Sequence, residues 1–139
     1  MKILLIEDDD AVRNTILSIL TCRNHTVDEA KSAEEALLML PADYDLVIVD
    51  VLLKQMDGLT LLERITGMRQ RIPVLMITGL EPGEIESACL EKGAAGFLHK
   101  PFRVQELLSL VDRAVHQTGT YSPMIHAQRK GTHEKNICP

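Results

Sequence analysis

The chain has 139 residues, 45% of them apolar, a size and composition suited to one domain with a real hydrophobic core. Its formal net charge of −5 argues against a nucleic-acid surface made by bulk charge. No apolar run approaches the roughly 18 residues that span a bilayer. The 3 cysteines are widely spaced without a C-x-x-C pair, and no signal-peptide pattern opens the chain. We therefore expect a soluble, cytoplasmic protein with plain thiols and no direct nucleic-acid or membrane partner.

Short apolar runs alternate with amphipathic stretches, which predicts alternating strands and helices. Strands are expected at residues 2–6, 26–30, 46–49, 74–77 and 96–99. Helices are expected after the acidic run that follows residue 6, and over residues 32–41, 58–68, 82–93 and 104–115. Ser32 and Glu35 form a capping box at the start of the second helix. The periodicity is lost near the end, so we expect one domain over residues 1–118 and a flexible or irregular tail over residues 119–139.

The alternation of strands and helices predicts the fold class. Helices that join successive strands imply a parallel sheet covered on both faces, and right-handed crossovers leave few topologies. With five strands, we predict an α/β, doubly wound, flavodoxin-like fold with strand order 2-1-3-4-5 and five flanking helices. The switch point of this order lies between strands one and three, where ligands bind. Both of those strands end in acidic residues.

The residues expected at the carboxyl edge of this sheet are Glu7 and Asp8, Asp50, Thr78 and Lys100. Carboxylates that lie close together repel one another, and a cation relieves the repulsion. An incomplete all-oxygen site suits Mg²⁺, which keeps several waters. A carboxylate surrounded by Mg²⁺, a lysine and a hydroxyl is typical of phosphoryl transfer. We predict that Asp50 is the nucleophile, that Lys100 holds a phosphoryl oxygen, and that Thr78 hydrogen-bonds another.

These motifs resemble the receiver domain of two-component response regulators over residues 1–118. The resemblance rests on Glu7-Asp8, Asp50, Thr78 and Lys100-Pro101 in this order, and on Asp57-Gly58 after the acceptor. It implies transfer of a phosphoryl group to Asp50 from a sensor histidine kinase or phosphotransfer protein. It also implies self-catalysed hydrolysis and a change at the face of the fourth helix, fifth strand and fifth helix, which would signal to a downstream effector protein.

The resemblance assigns further roles. The Mg²⁺ ligands would be Glu7, in part through water, together with Asp8, Asp50 and the backbone carbonyl of Leu52. Thr78 and the buried aromatic Phe97 would form the switch, and the peptide bond before Pro101 would be cis. The resemblance also allows a homodimer through the fourth and fifth helices. These roles describe a binding module with self-modifying chemistry, and we do not expect a turnover enzyme.

Some positions depart from the pattern, and alternatives remain open. Lys54-Gln55 stands where the family commonly has Pro-Gly, so the loop after Asp50 is open to a different shape. The chain could be a stand-alone receiver, a receiver fragment of a longer transcriptional regulator, or a degenerate receiver that docks without phosphorylation. A haloacid-dehalogenase-like phosphatase needs a second Asp where Leu52 stands. A flavodoxin-type cofactor binder needs a phosphate-binding loop after the first strand, which is missing.

Overall fold

The structure, a computed structural model, describes residues 1–54, 56–68 and 71–116. The predicted tail at residues 119–139 lies outside them. The elements, in chain order, are β1 (Lys2–Ile6), α1 (Asp10–Cys22), β2 (Thr26–Ala30), α2 (Ala33–Met39), β3 (Leu46–Asp50), α3 (Gly58–Thr66), β4 (Val74–Thr78), α4 (Pro82–Glu91), β5 (Gly96–His99) and α5 (Val104–His116). Every predicted strand and helix is therefore present within these residues. Strands β3 and β4 are each one residue longer than predicted, because they include Asp50 and Thr78 at their ends.

The sheet confirms the predicted topology. Its order is β2-β1-β3-β4-β5, and each neighbouring pair is parallel. The β1–β3 pairing joins the two strands that end in acid, with Ile6 opposite Val49. Because all strands run the same way, their carboxyl ends lie along one edge of the sheet.

Helices cover both faces of the sheet, so the central strands are buried on both sides. Alternate residues of β1 show the division. Leu4 and Ile6 pack in the cluster that includes residues of α2, α3 and α4. Ile3 and Leu5 pack in the opposite cluster, which includes residues of α1 and α5. The core therefore has two layers, one on each face of the sheet.

The helices begin where short polar side chains satisfy free N–H groups. Asp9 accepts from the N–H of Val12 at 3.0 Å, and Asp57 accepts from the N–H of Thr60 at 2.8 Å. Ser32 accepts from the N–H of Glu35 at 3.1 Å, which confirms the predicted N-cap of α2. These caps fix the chain direction immediately after the strand tips.

Two expectations about the general class of the protein can be compared with the structure. Cys89 is a buried free thiol, which agrees with the expectation of a plain thiol at this position. Across the described ranges, none of the helices combines the length and apolar character that crossing a bilayer requires.

Candidate functional site

The carboxyl edge of the sheet brings together Glu7, Asp50, Thr78 and Lys100. Asp50 and Thr78 are the last residues of β3 and β4, while Glu7 and Lys100 directly follow β1 and β5. Glu7, Asp50 and Thr78 are all buried. Four residues that are far apart in the sequence therefore meet on adjacent strand tips, as the topology predicts.

Asp50 is held at both carboxylate oxygens. Its side chain accepts from the backbone N–H of Leu52 at Oδ1, 2.9 Å, and from the Lys100 ammonium at Oδ2, 2.7 Å. The residue is only 6% exposed. Two donors, one of them charged, therefore fix the orientation of this carboxylate. Aspartate carboxylates can act as nucleophiles in covalent catalysis.

Glu7 pairs with the same ammonium group. Lys100 Nζ is 3.2 Å from Glu7 Oε1, and Glu7 Oε2 accepts from the N–H of Asp9 at 3.1 Å. Burial, together with the hydrogen bond and repulsion from Asp50, raises the pKa of Glu7 to about 7. Burial acts to lower the pKa of Lys100, but its pairing with Asp50 and Glu7 outweighs burial and raises that pKa. The site therefore contains two adjacent acids and one cation.

This excess of acid predicts a pH dependence of stability in the Mg²⁺-free protein. The pKa of Glu7 is about 7 in the fold against 4.5 ordinarily, so the folded state holds this proton more tightly. The protonated Glu7 therefore stabilises the fold below about pH 4.5, and this stabilisation is lost as pH rises from 4.5 to 7. The loss in the free energy of unfolding is about 3 kcal/mol at most. Urea unfolding of wild type and Glu7→Gln at pH 5 and pH 8 measures it. An identical pH dependence in both proteins would contradict this assignment.

Thr78 is fully buried and connects β4 to the site. Its Oγ1 accepts from the N–H of Leu80 at 3.1 Å, and its carbonyl accepts from the N–H of Lys100 at 2.7 Å. The hydroxyl has one proton of its own to donate. Phe97 is 3% exposed and packs within the cluster on the α2, α3 and α4 face.

The remaining predicted residues lie around this centre. Asp8 is half-buried beside Glu7. Leu52 is 54% exposed, and the Lys100–Pro101 peptide bond is cis. Lys54 is exposed, while its neighbour Gln55 lies outside the described residues.

Two residues, Gly58 and Arg13, support the site through contacts that the sequence pattern did not reveal. Gly58 begins α3 so close to β3 that a Cβ atom there would lie 2.3 Å from the carbonyl oxygen of Asp50 and 2.7 Å from Cα of Val51. Its N–H donates to the Val51 carbonyl at 2.8 Å. Arg13 of α1 is 5% exposed and donates to the carbonyl of Glu7 at 2.9 Å. Both residues therefore touch the backbone that carries a site carboxylate.

The donor set fits Mg²⁺. Within the described residues, no group of three or more His, Cys, Asp or Glu side chains is gathered closely enough to hold a metal ion. Mg²⁺ does not need such a group, because it takes one or two carboxylates and fills its other positions with water and phosphate oxygens. Glu7 and Asp50 supply two carboxylates around one ammonium. The raised pKa of Glu7 is the sign of an acid pair that a divalent cation would relieve.

The sequence also matches a known family. A profile described as "Response regulator receiver domain" matches residues 3–112. This chain belongs to that family. The receiver domain is a signalling module of two-component response regulators rather than a conventional enzyme.

Relatives and solved structures agree with this assignment. The response regulator MprA of Mycobacterium tuberculosis is 31% identical over 119 residues, which cover 85% of this chain and 52% of MprA. The receiver domain of NtrX from Brucella abortus is 30% identical with a TM-score of 0.79, covering 84% of this chain and 99% of that one. The HemR receiver domain from Leptospira biflexa is 31% identical with a TM-score of 0.78, covering 87% and 98%. The chain spans about half the length of the MprA relatives that it matches.

Proposed function

We propose that this receiver domain accepts a phosphoryl group on Asp50 in a Mg²⁺-dependent reaction. The observation that carries the proposal is the Asp50 carboxylate paired with Lys100 at 2.7 Å, with the acid Glu7 paired with the same ammonium at 3.2 Å. The donor would be the phosphohistidine of a sensor histidine kinase or phosphotransfer protein. The receiver domain would occupy residues 1–118, with residues 119–139 as a tail.

The chemistry exchanges one bond to phosphorus for another. A carboxylate oxygen of Asp50 forms the new O–P bond while the N–P bond of the phosphohistidine breaks, and the electron pair of that bond returns to the imidazole nitrogen. Lys100 offsets negative charge on the phosphoryl oxygens where it develops. The Thr78 hydroxyl can donate its proton to one of them, because its oxygen already accepts from Leu80.

Mg²⁺ would be held by Glu7, in part through water, by Asp8 and Asp50, and by the backbone carbonyl of Leu52. When bound, the ion would neutralise charge on the acids and on the transferring group. Glu7 would be deprotonated by its arrival, because a nearby cation favours the carboxylate. Loss of the phosphoryl group by hydrolysis would return the carboxylate of Asp50.

The phosphorylated state would be read at the face formed by α4, β5 and α5. Thr78 and Phe97 would link the site to this face, since both side chains are buried and Thr78 also accepts from the N–H of Lys100 through its carbonyl. Phe97 lacks a hydroxyl, so any movement of its ring would act by packing alone. The partners would be a downstream effector protein or a second copy of the chain.

Intact mass spectrometry after incubation with a small phosphodonor tests the function. We expect one phosphoryl adduct in wild type, and no adduct without Mg²⁺ or in Asp50→Asn. Asp57→Asn is the matched control, because Asp57 is an exposed N-cap in the same loop and asparagine also caps helices. This variant should form the adduct as wild type does. A folded wild-type protein without an adduct would instead indicate a degenerate receiver that docks without phosphorylation.

A further inference from the structure

Arg13 is a buried cation on a helix face that is otherwise apolar. It is 5% exposed and shares its side of α1 with the buried Ile16 and Leu20. A guanidinium in this position is costly unless its donors are paired. Apolar packing does not explain a charged side chain at this position, so the polar contacts of Arg13 must explain why it is buried.

The guanidinium joins three parts of the fold. Its Nη1 donates to the carbonyl of Glu7 at 2.9 Å, its Nε donates to Glu29 Oε1 of β2 at 3.1 Å, and its Nη2 pairs with Asp10. The carboxylates of Glu29 and Asp10 therefore hold two nitrogens of the planar guanidinium, and the third nitrogen, Nη1, donates to one backbone oxygen. That oxygen belongs to the residue at the tip of β1.

The Glu7 carbonyl lies beyond the last paired residues of β1 and β2, Ile6 and Ala30. The N–H of Glu7 still reaches the Ala30 carbonyl at 3.1 Å, whereas the Glu7 carbonyl accepts from Arg13. Because a peptide unit is planar, fixing this carbonyl also fixes the N–H and the Cα direction of Asp8.

The turn is held at a second point. The Glu7 carboxylate accepts from the N–H of Asp9 at 3.1 Å, and the N–H of Arg13 donates to the Asp9 carbonyl at 2.9 Å. The backbone of Glu7, Asp8 and Asp9 therefore lies between the Arg13 side chain and the first turn of α1.

We propose that Arg13 is a positioning residue for the acidic pair Glu7-Asp8, and that its hydrogen bond to the Glu7 carbonyl sets the affinity of the site for Mg²⁺. This inference rests on the proposed function, in which the acidic pair binds that ion. Whether replacing Arg13 weakens or tightens Mg²⁺ binding distinguishes a positioning role from a purely electrostatic one. A nearby positive charge repels Mg²⁺, so removing it would tighten binding if charge alone acted. Loss of the positioning contact weakens binding instead.

The first test is the dissociation constant for Mg²⁺, measured by calorimetry on folded protein. We expect Arg13→Gln to weaken Mg²⁺ binding by about tenfold or more, as removal of an outer-shell partner does. Arg13→Lys keeps the charge but not the planar fork, so it should also weaken binding. Glu29→Gln is the matched control, because it removes a neighbouring charge while the glutamine amide oxygen can still accept from Arg13 Nε and keep the guanidinium on the Glu7 carbonyl. It should bind Mg²⁺ nearly as wild type does.

The second test uses the Mg²⁺-free protein and does not depend on the ion. The amide signals of Glu7, Asp8 and Asp9 in nitrogen–proton NMR spectra should shift in Arg13→Lys and stay near their wild-type positions in Glu29→Gln. Unshifted amides in Arg13→Lys would overturn the positioning role, as would unchanged or tighter Mg²⁺ binding in Arg13→Gln. If wild type binds no Mg²⁺, the proposed function fails, and the amide shifts alone decide whether Arg13 orients the pair.

Discussion

Replacing Gly58 by alanine is expected to destabilise the domain by about 3 kcal/mol and to impair phosphoryl uptake at Asp50. An added Cβ would lie 2.3 Å from the Asp50 carbonyl oxygen and 2.7 Å from Cα of Val51. Both atoms belong to the backbone, so no side-chain rotation relieves the overlap. Either α3 must move away from β3, or the end of β3 must move and take the acceptor with it.

Urea unfolding and intact mass after treatment with the phosphodonor measure the two effects. Gly79→Ala is the matched control, because Gly79 lies in the loop after β4 and a Cβ there meets no atom within 4 Å. Its free energy of unfolding should change by less than about 1 kcal/mol. Wild-type stability and uptake in Gly58→Ala would show that the contact between α3 and β3 does not hold Asp50 in place.

Replacing Lys100 by methionine is expected to reduce phosphoryl uptake at least about 100-fold, the effect typical of losing one charge-stabilising donor. It should also destabilise the Mg²⁺-free protein at pH 8 by about 2 kcal/mol, since two buried acids lose their common cation. At pH 5 this loss should be smaller, because Glu7, with a pKa of about 7, then carries a proton.

The matched control for this variant is Lys92→Met. Lys92 pairs with Glu63 at 2.6 Å, but both side chains are substantially exposed, at 35% and 55%. Exposed ion pairs contribute little to stability because solvent screens them, so stability and uptake should stay near wild type at both pH values. An equal effect of the two substitutions would mean that Lys100 acts only as a surface charge.

The sequence predicted the sheet order because three of its strands, β1, β3 and β4, are almost wholly apolar and every strand is followed by a helix. Buried strands that end abruptly in Asp50 and Thr78 also marked the carboxyl edge, since a polar group can follow a buried strand only where it finds partners. The ion pairs of Lys100 with Glu7 and Asp50 agree with that placement. Local sequence patterns therefore predicted both the strand order and the edge of the sheet at which the site lies.

Contacts between backbones of different elements were not readable in this way. Gly58 looked like a turn residue at a helix start, and nothing in its neighbours reports that α3 approaches the Asp50 carbonyl. Arg13 left a clearer signal, because it stands three residues before Ile16 and seven before Leu20, on the buried face of α1. A charged residue at an apolar position of a helix requires a buried partner, and the sequence does not say which one.

The roles of Asp8, Leu52 and Phe97 remain proposals, since they depend on how the site behaves when the ion and the phosphoryl group are bound.

The most direct test of the account is to locate the phosphoryl group chemically. Borohydride reduces an acyl phosphate to an alcohol, which converts a phosphorylated aspartate to homoserine, and peptide mass spectrometry then identifies the position. After phosphodonor and Mg²⁺, we expect homoserine at position 50, and none there when either is omitted. Homoserine at Asp8 or Asp57 with an unmodified Asp50, or a phosphoryl group that resists reduction because it lies on a hydroxyl, would contradict the assignment of Asp50 as the acceptor.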